Sequence, residues 1–178
     1  DEYDREEQKN VNRVIGNKFQ GNYRKNFAVF GNVEAQKIKD DYVNPKMNIG
    51  GKLGFKYFMN PNFNLEFNSN VFTLENENIV KRTFIVPEIN IEYLLFPKYK
   101  FTPYIYGGAG VMYSEIKPQY KAQFGGGFEY ILAKNVGLRA SSQYDLGFKD
   151  KWEGLINGQR KDQALRFSLG LNFYIGNQ

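Results

Sequence analysis

Chemistry in this 178-residue chain has to come from carboxylates, amines, guanidiniums and hydroxyls, because the chain contains no histidine and no cysteine. The first absence removes the commonest general base and metal ligand, and the second removes thiol catalysis, disulfide frameworks and thiolate metal sites. Ten charged residues recur within alternating segments: Glu34, Lys52, Lys56, Glu66, Glu88, Glu92, Glu129, Arg139, Asp145 and Arg166. Two carboxylates act as glycosidase acids only when they flank a cleft at a defined separation, and nothing in the spacing arranges a pair in that way. The clusters Gly107-Gly108-Ala109-Gly110 and Gly125-Gly126-Gly127 invite comparison with phosphate-cradling loops. No helical pattern follows either cluster, and no Gly-Lys-Ser/Thr occurs. Glycine at these places is expected instead to make room for bulky neighbours and to allow tight curvature. The reading is therefore no enzyme, no metal site, no cofactor and no nucleic-acid partner. The net charge of +5 permits contact with phosphates without requiring it.

The elements that position these charges follow a period of two almost throughout from Phe27, with long helical periodicity absent. Apolar sets alternate with polar ones in eight runs. Phe27, Val29, Val33 and Ala35 open the series; Met47, Ile49, Leu53, Phe55 and Tyr57 follow; Phe63, Leu65, Phe67 and Val71 make the third. The fourth is Ile85, Ile89, Ile91, Tyr93 and Leu95, and the fifth runs from Tyr104 to Tyr113, with rings on both faces. The last three carry Ala122, Phe124, Phe128 and Tyr130; then Val136, Leu138, Ala140 and Tyr144; then Leu165, Phe167, Leu169, Leu171, Phe173 and Ile175. Short links (Asn60-Pro61-Asn62, a turn at Pro97, a turn at 133–135) alternate with mostly longer ones. With an even number of strands, the long links lie on one side and both termini on the other.

The dry face follows from volume. Mean hydropathy is low, at -0.57, and no apolar run reaches the roughly 18 residues of a spanning helix. Yet aromatics make up 17% of the chain, with 13 Tyr and 16 Phe. An eight-stranded barrel has an interior just wide enough for its own side chains. The aromatic and aliphatic set would overfill it, whereas the Gly, Ser, Asn and Gln set with its charges fits. The apolar set is thus expected to face lipid, with rings near strand ends at both interfaces: Phe58, Phe63, Phe96, Phe101, Tyr130 and Phe173 by the short turns; Tyr42, Phe84, Tyr113, Tyr120, Phe148 and Trp152 by the long loops. Unpaired buried charges are costly, so the ten charged residues are expected to pair into a plug. Hairpin counting brings Glu129 close to Arg139 and Glu66 within diagonal reach of Lys56.

The final segment, Ser168-Leu169-Gly170-Leu171-Asn172-Phe173-Tyr174-Ile175, fits a polar-x-Gly-x-x-hydrophobic-x-hydrophobic pattern. With the eight alternating segments, it resembles the eight-stranded outer-membrane β-barrels of Gram-negative bacteria, the class of the OmpA transmembrane domain, OmpX and the opacity proteins. The resemblance implies an all-β, antiparallel, up-and-down transmembrane barrel in the outer membrane, with both termini periplasmic. It also implies that Ser168, Gly170, Phe173 and Ile175 are the signal read by the barrel assembly machinery, and that outer-membrane lipid and lipopolysaccharide are the surroundings. Enzymes of that class rely on a catalytic histidine, which is absent here. The chain departs from the pattern by ending in Gly176-Asn177-Gln178 and by carrying Pro87 inside the fourth strand, where a bulge or register break is expected.

Residues 1–18 are read as a periplasmic extension and 19–178 as the barrel. The first ten residues lack the apolar core of a signal peptide, so, if the protein is exported, the segment is expected to be already processed or cut by design. Lys149, Lys151, Trp152, Arg160 and Lys161 form a candidate binding surface in the longest loop, where basic groups suit lipopolysaccharide phosphates or the acids of an envelope protein. Residues 1–18 are a second place for such a partner. The expected role is structural or interactive. Competing readings are a narrow ion or small-solute channel and a soluble, lipocalin-like carrier with an apolar interior.

Overall fold

The alternation becomes eight antiparallel strands closed into one barrel in strict sequence order. This computed structural model describes residues 24–39, 47–74, 82–113, 118–147 and 163–176. The strands are β1 (Phe27–Lys39), β2 (Met47–Phe58), β3 (Phe63–Leu74), β4 (Arg82–Leu94), β5 (Phe101–Met112), β6 (Gln119–Ala133), β7 (Val136–Gly147) and β8 (Gln163–Ile175). Closure is made by β8 against β1, from Phe27 opposite Ile175 to Lys39 opposite Gln163. Both described chain ends therefore lie at the short-turn end. The proposed boundary between residues 18 and 19 lies outside the described residues.

Register fixes the barrel's shape. Stepping across the ladders from Phe27 leads through Tyr57, Leu65, Ile91, Gly107, Phe124, Tyr144 and Leu165, and returns to β1 at Lys37, ten residues on. A stagger of that size on eight strands tilts them by roughly 40° to the barrel axis. The tight β2–β3 turn has a local cause: the Asn60 side-chain oxygen accepts hydrogen bonds from the backbone N–H groups of Asn62 and Phe63 at 2.9 and 2.8 Å.

Pro87 does not introduce a bulge or shift the register, contrary to expectation. Its pairing with Ser69 on β3 is intact. On the β5 side the continuous ladder runs from Glu88 to Leu94, and beyond the proline Ile85 and Tyr113 form an isolated bridge in the same register. Ile85 exchanges both backbone hydrogen bonds with Tyr113, at 3.3 and 2.9 Å, so Pro87, two residues on, also aims its nitrogen at β5. Lacking an N–H, it leaves a gap in the ladder without displacing it. The one register shift lies between Ile131 and Ala133 on β6.

The outer face is apolar on every strand, with Ile49 and Leu53 each 72% exposed and Leu169 56%. A continuous apolar belt of this kind far exceeds the patches that water-soluble monomers carry, and closure leaves no sheet edge unsatisfied in lipid. Rings pair across this belt, as Phe63 with Tyr93 at 4.8 Å and Phe101 with Phe128 at 5.3 Å. Two residues expected at the interfaces point inward instead: Phe58 and Phe84 are buried in the lumen. Strand pleat decides this, since each shares a face with inward neighbours such as Lys56 and Val86. Tyr42, Phe148 and Trp152 lie outside the described residues.

Candidate functional site in the barrel lumen

All ten charged residues singled out from the sequence are buried in the interior, and among the described residues two more join them, Arg24 and Lys121. The twelve comprise six bases and six acids, sorted into three groups that are each neutral. Nearest the short turns is the pair Arg24–Glu129, with Nε to Oε1 at 2.6 Å. Next comes a quartet: Lys56 lies 2.8 Å from Glu92 and 3.4 Å from Glu66, and Arg139 lies 2.5 Å from Glu92 and 3.2 Å from Glu66. Toward the long loops is a sextet. There Lys52 meets Glu34 at 2.9 Å, Lys121 meets Asp145 at 2.9 Å and also Glu88, and Arg166 meets Asp145 at 2.6 Å, Glu34 at 3.4 Å and also Glu88.

Amides and a phenol join the layers. Asn90 donates to Glu66 at 3.3 Å and accepts from Gln123 at 2.9 Å; Gln143 accepts from the Tyr106 hydroxyl at 3.0 Å and donates to Asp145 at 2.8 Å. At the lower end Asn172 donates to Glu129 at 2.6 Å. Buried apolar side chains fill the interior alongside the charges. Ala28, Phe58, Leu94, Tyr104, Tyr106, Ile131 and Tyr174 cluster toward the short turns, and Phe72, Phe84, Val86, Met112 and Ala164 toward the long loops.

Glycine makes this filling fit. A Cβ on Gly125 would lie 2.7 Å from the Tyr106 ring, and one on Gly127 would lie 2.7 Å from the Tyr104 hydroxyl and 2.1 Å from the Ala140 carbonyl oxygen. The Gly-rich stretch of β6 is thus the floor beneath two lumen tyrosines of β5. The guanidinium of Arg139 stacks over the Tyr104 ring at 4.0 Å, an attraction that strengthens where water is excluded.

The expected partners are only partly the observed ones. Lys56 and Glu66 are direct register partners and an ion pair. Glu129 and Arg139 also face each other in register, but Arg139 reaches across the lumen to the acids of β3 and β4, and Glu129 is taken by Arg24. The interior is narrow enough that a long side chain reaches the opposite wall as readily as the next strand. Lys121 was legible from parity, since it shares the inward face of β6 with Gln123 and Glu129. Arg24 precedes β1, where no alternation marks a facing. Burial there is the largest single influence and acts against its charge, yet the attractions of Glu129, Tyr174 and Glu92 together hold the guanidinium above its ordinary value.

Of the candidate assembly signal, Ser168 faces inward and shares a 2.6 Å hydrogen bond with Ser141. Gly170 lies against the Gly31 and Asn32 backbone, whereas Phe173 and Ile175 face outward. Lys149, Lys151, Trp152, Arg160 and Lys161, like residues 1–18, lie outside the described residues. Among the described residues no group of acidic side chains is arranged to hold a metal ion. Chemically, the interior neutralises its own charges. The soluble-carrier reading, which needs an apolar interior, does not fit it.

No family model and no curated protein matches the sequence. Solved structures do match in fold. Neisserial surface protein A aligns over 85% of this chain and 98% of its own, with a TM-score of 0.69 and 12% identity. Ail, the attachment invasion locus protein of Yersinia pestis, aligns over 84% and 98%, with a TM-score of 0.56 and 14% identity. The outer membrane enzyme PagL aligns over 82% and 99%, with a TM-score of 0.50 and 13% identity. The chain has the closed, eight-stranded barrel fold of these outer-membrane proteins.

Proposed function

We propose that this protein is an outer-membrane barrel with a closed lumen, whose role in the envelope is structural or interactive and not that of a conduit. The observation that carries this reading is the layering of twelve buried charges into three neutral groups, with buried apolar clusters among them and toward the long loops. Moving an ion through would require breaking pairs that are fully desolvated, each a costly step. The apolar belt and the fold likeness support placement in the outer membrane, and both described ends at the short-turn mouth support periplasmic termini. In planar bilayers the refolded protein is expected to be silent; steady single-channel conductance would overturn the reading in favour of a narrow channel.

Interaction then falls to the parts outside the strands. Ail is described as an attachment invasion protein and NspA as a surface protein, which supports a role for the long loops here. Lys149, Lys151, Arg160 and Lys161 would contact lipopolysaccharide phosphates or an acidic partner, with Trp152 as an interfacial anchor, and residues 1–18 would offer a periplasmic contact. Ser168, Gly170, Phe173 and Ile175 would serve recognition by the assembly machinery. PagL demonstrates that this fold accommodates an enzyme. The absence of histidine and the full engagement of the lumen carboxylates with bases favour a non-catalytic role. Reversing the four loop charges is expected to weaken adsorption to vesicles containing lipopolysaccharide while leaving adsorption to neutral phosphatidylcholine vesicles unchanged.

A further inference from the structure

We propose that the short-turn mouth of the barrel contains a guanidinium-binding site, which Arg24 fills from outside the strands. Glu129 is the acid of this site, buried on β6 with one oxygen taken by Asn172 at 2.6 Å and the other facing Arg24 Nε at 2.6 Å. The carbonyl of Pro97, in the β4–β5 turn, accepts from Arg24 Nη1, also at 2.6 Å. Two acceptors on separate elements thus meet two edges of one planar fork, with Nη2 buried and left without an acceptor, a spread that a point-like ammonium does not span. Phe58, Leu94, Ile131 and Tyr174 belong to the buried apolar cluster at this end of the barrel.

Charge balance makes the same assignment independently. Among the described residues, the lumen without Arg24 holds five bases against six acids, and the deficit falls on Glu129, because the quartet and sextet are each neutral alone. The strands therefore build an acidic pocket that they do not fill. Arg24 lies ahead of the first ladder pair, Phe27 with Tyr57 and Ile175, so it can leave without breaking strand pairing. The site takes one chemical class, a guanidinium on a short apolar stem, whether from the chain's own Arg24 or from an arginine presented by another peptide.

The test uses the full chain refolded in phosphatidylcholine vesicles, reading the temperature at which its heat-dependent gel migration shifts. R24A is expected to unfold about 10 °C lower, because it strands a buried carboxylate. Millimolar ethylguanidinium should recover most of that loss in R24A and leave the wild type unmoved, while ethylammonium recovers little. In R24A/E129Q, with no charge left to compensate, stability should return toward wild type and the response to ethylguanidinium should vanish. R24A that fails to refold while R24A/E129Q refolds supports the site equally. An unchanged unfolding temperature in R24A, an ethylguanidinium effect equal in wild type and R24A, or failure of both variants to refold would overturn it.

Discussion

Apart from Arg24, each buried base in the lumen is shared between acids, so the effect of removing one depends on what it strands. Arg139 is the shared partner of Glu66 and Glu92 and also caps the Tyr104 ring. R139A should destabilise the barrel by about 3–5 kcal/mol, the cost typical of breaking a buried pair by deleting one member, measured as a shift in the urea midpoint in vesicles. Glycine offers a contrast of the same kind. A Cβ on Gly127 would meet the Ala140 carbonyl oxygen at 2.1 Å, whereas one on Gly51 meets nothing nearer than the Asn32 carbonyl oxygen at 3.9 Å. G127A is expected to cost about 1–3 kcal/mol through overpacking, and G51A to stay within about 0.5 kcal/mol of wild type. Equal effects of the two would show that the tyrosine–glycine fit across β5 and β6 carries no weight.

At the scale of the elements, the β4–β5 ladder is interrupted at Pro87, the β6–β7 ladder shifts register between Ile131 and Ala133, and the other six are continuous. In a lipid-facing wall a missing hydrogen bond cannot be replaced by water, so this seam should open more readily than its neighbours. Amide exchange at Val111, Met112 and Tyr113 should therefore be faster than at the register-matched centre of β7 and β8. P87V supplies the absent donor and should add about 1 kcal/mol of stability and slow that exchange. Unaltered exchange in P87V would mean that the gap is not the seam's weak point. The tight turn held by Asn60 is the opposite case, because its cause is local and its sequence, Asn60-Pro61-Asn62, already reads as a turn.

The whole molecule inverts the plan of a soluble barrel: the polar set is inside because lipid, not water, is the outer solvent. Two measurements follow from that inversion. The protein should require detergent or lipid to stay dispersed and should migrate faster unheated than boiled on a denaturing gel, as a closed barrel does while folded. Its unfolding temperature in vesicles should also respond little to raising salt to about 1 M, since desolvated pairs are screened far less than exposed ones. A large salt-dependent loss would place the pairs in contact with bulk water and argue for an open lumen.

Much of this was legible in the sequence. The facing of a strand residue is local, set by a pleat of period two, so alternation alone assigned Leu53 and Ile91 to lipid, Lys56 and Glu92 to the interior, and the long links to one end. Parity also held the correct facing of Lys121, Phe58 and Phe84. Partnership is not local. Whether Arg139 pairs with Glu129 beside it or with Glu92 across the lumen depends on the barrel's stagger and width, which exist only once β8 closes on β1. Arg24, outside any alternating run, gains a facing only when the mouth it enters has formed. The sequence by itself therefore determined the surface each strand residue serves, because that is a property of one strand, and only the closed barrel decided which charge neutralises which.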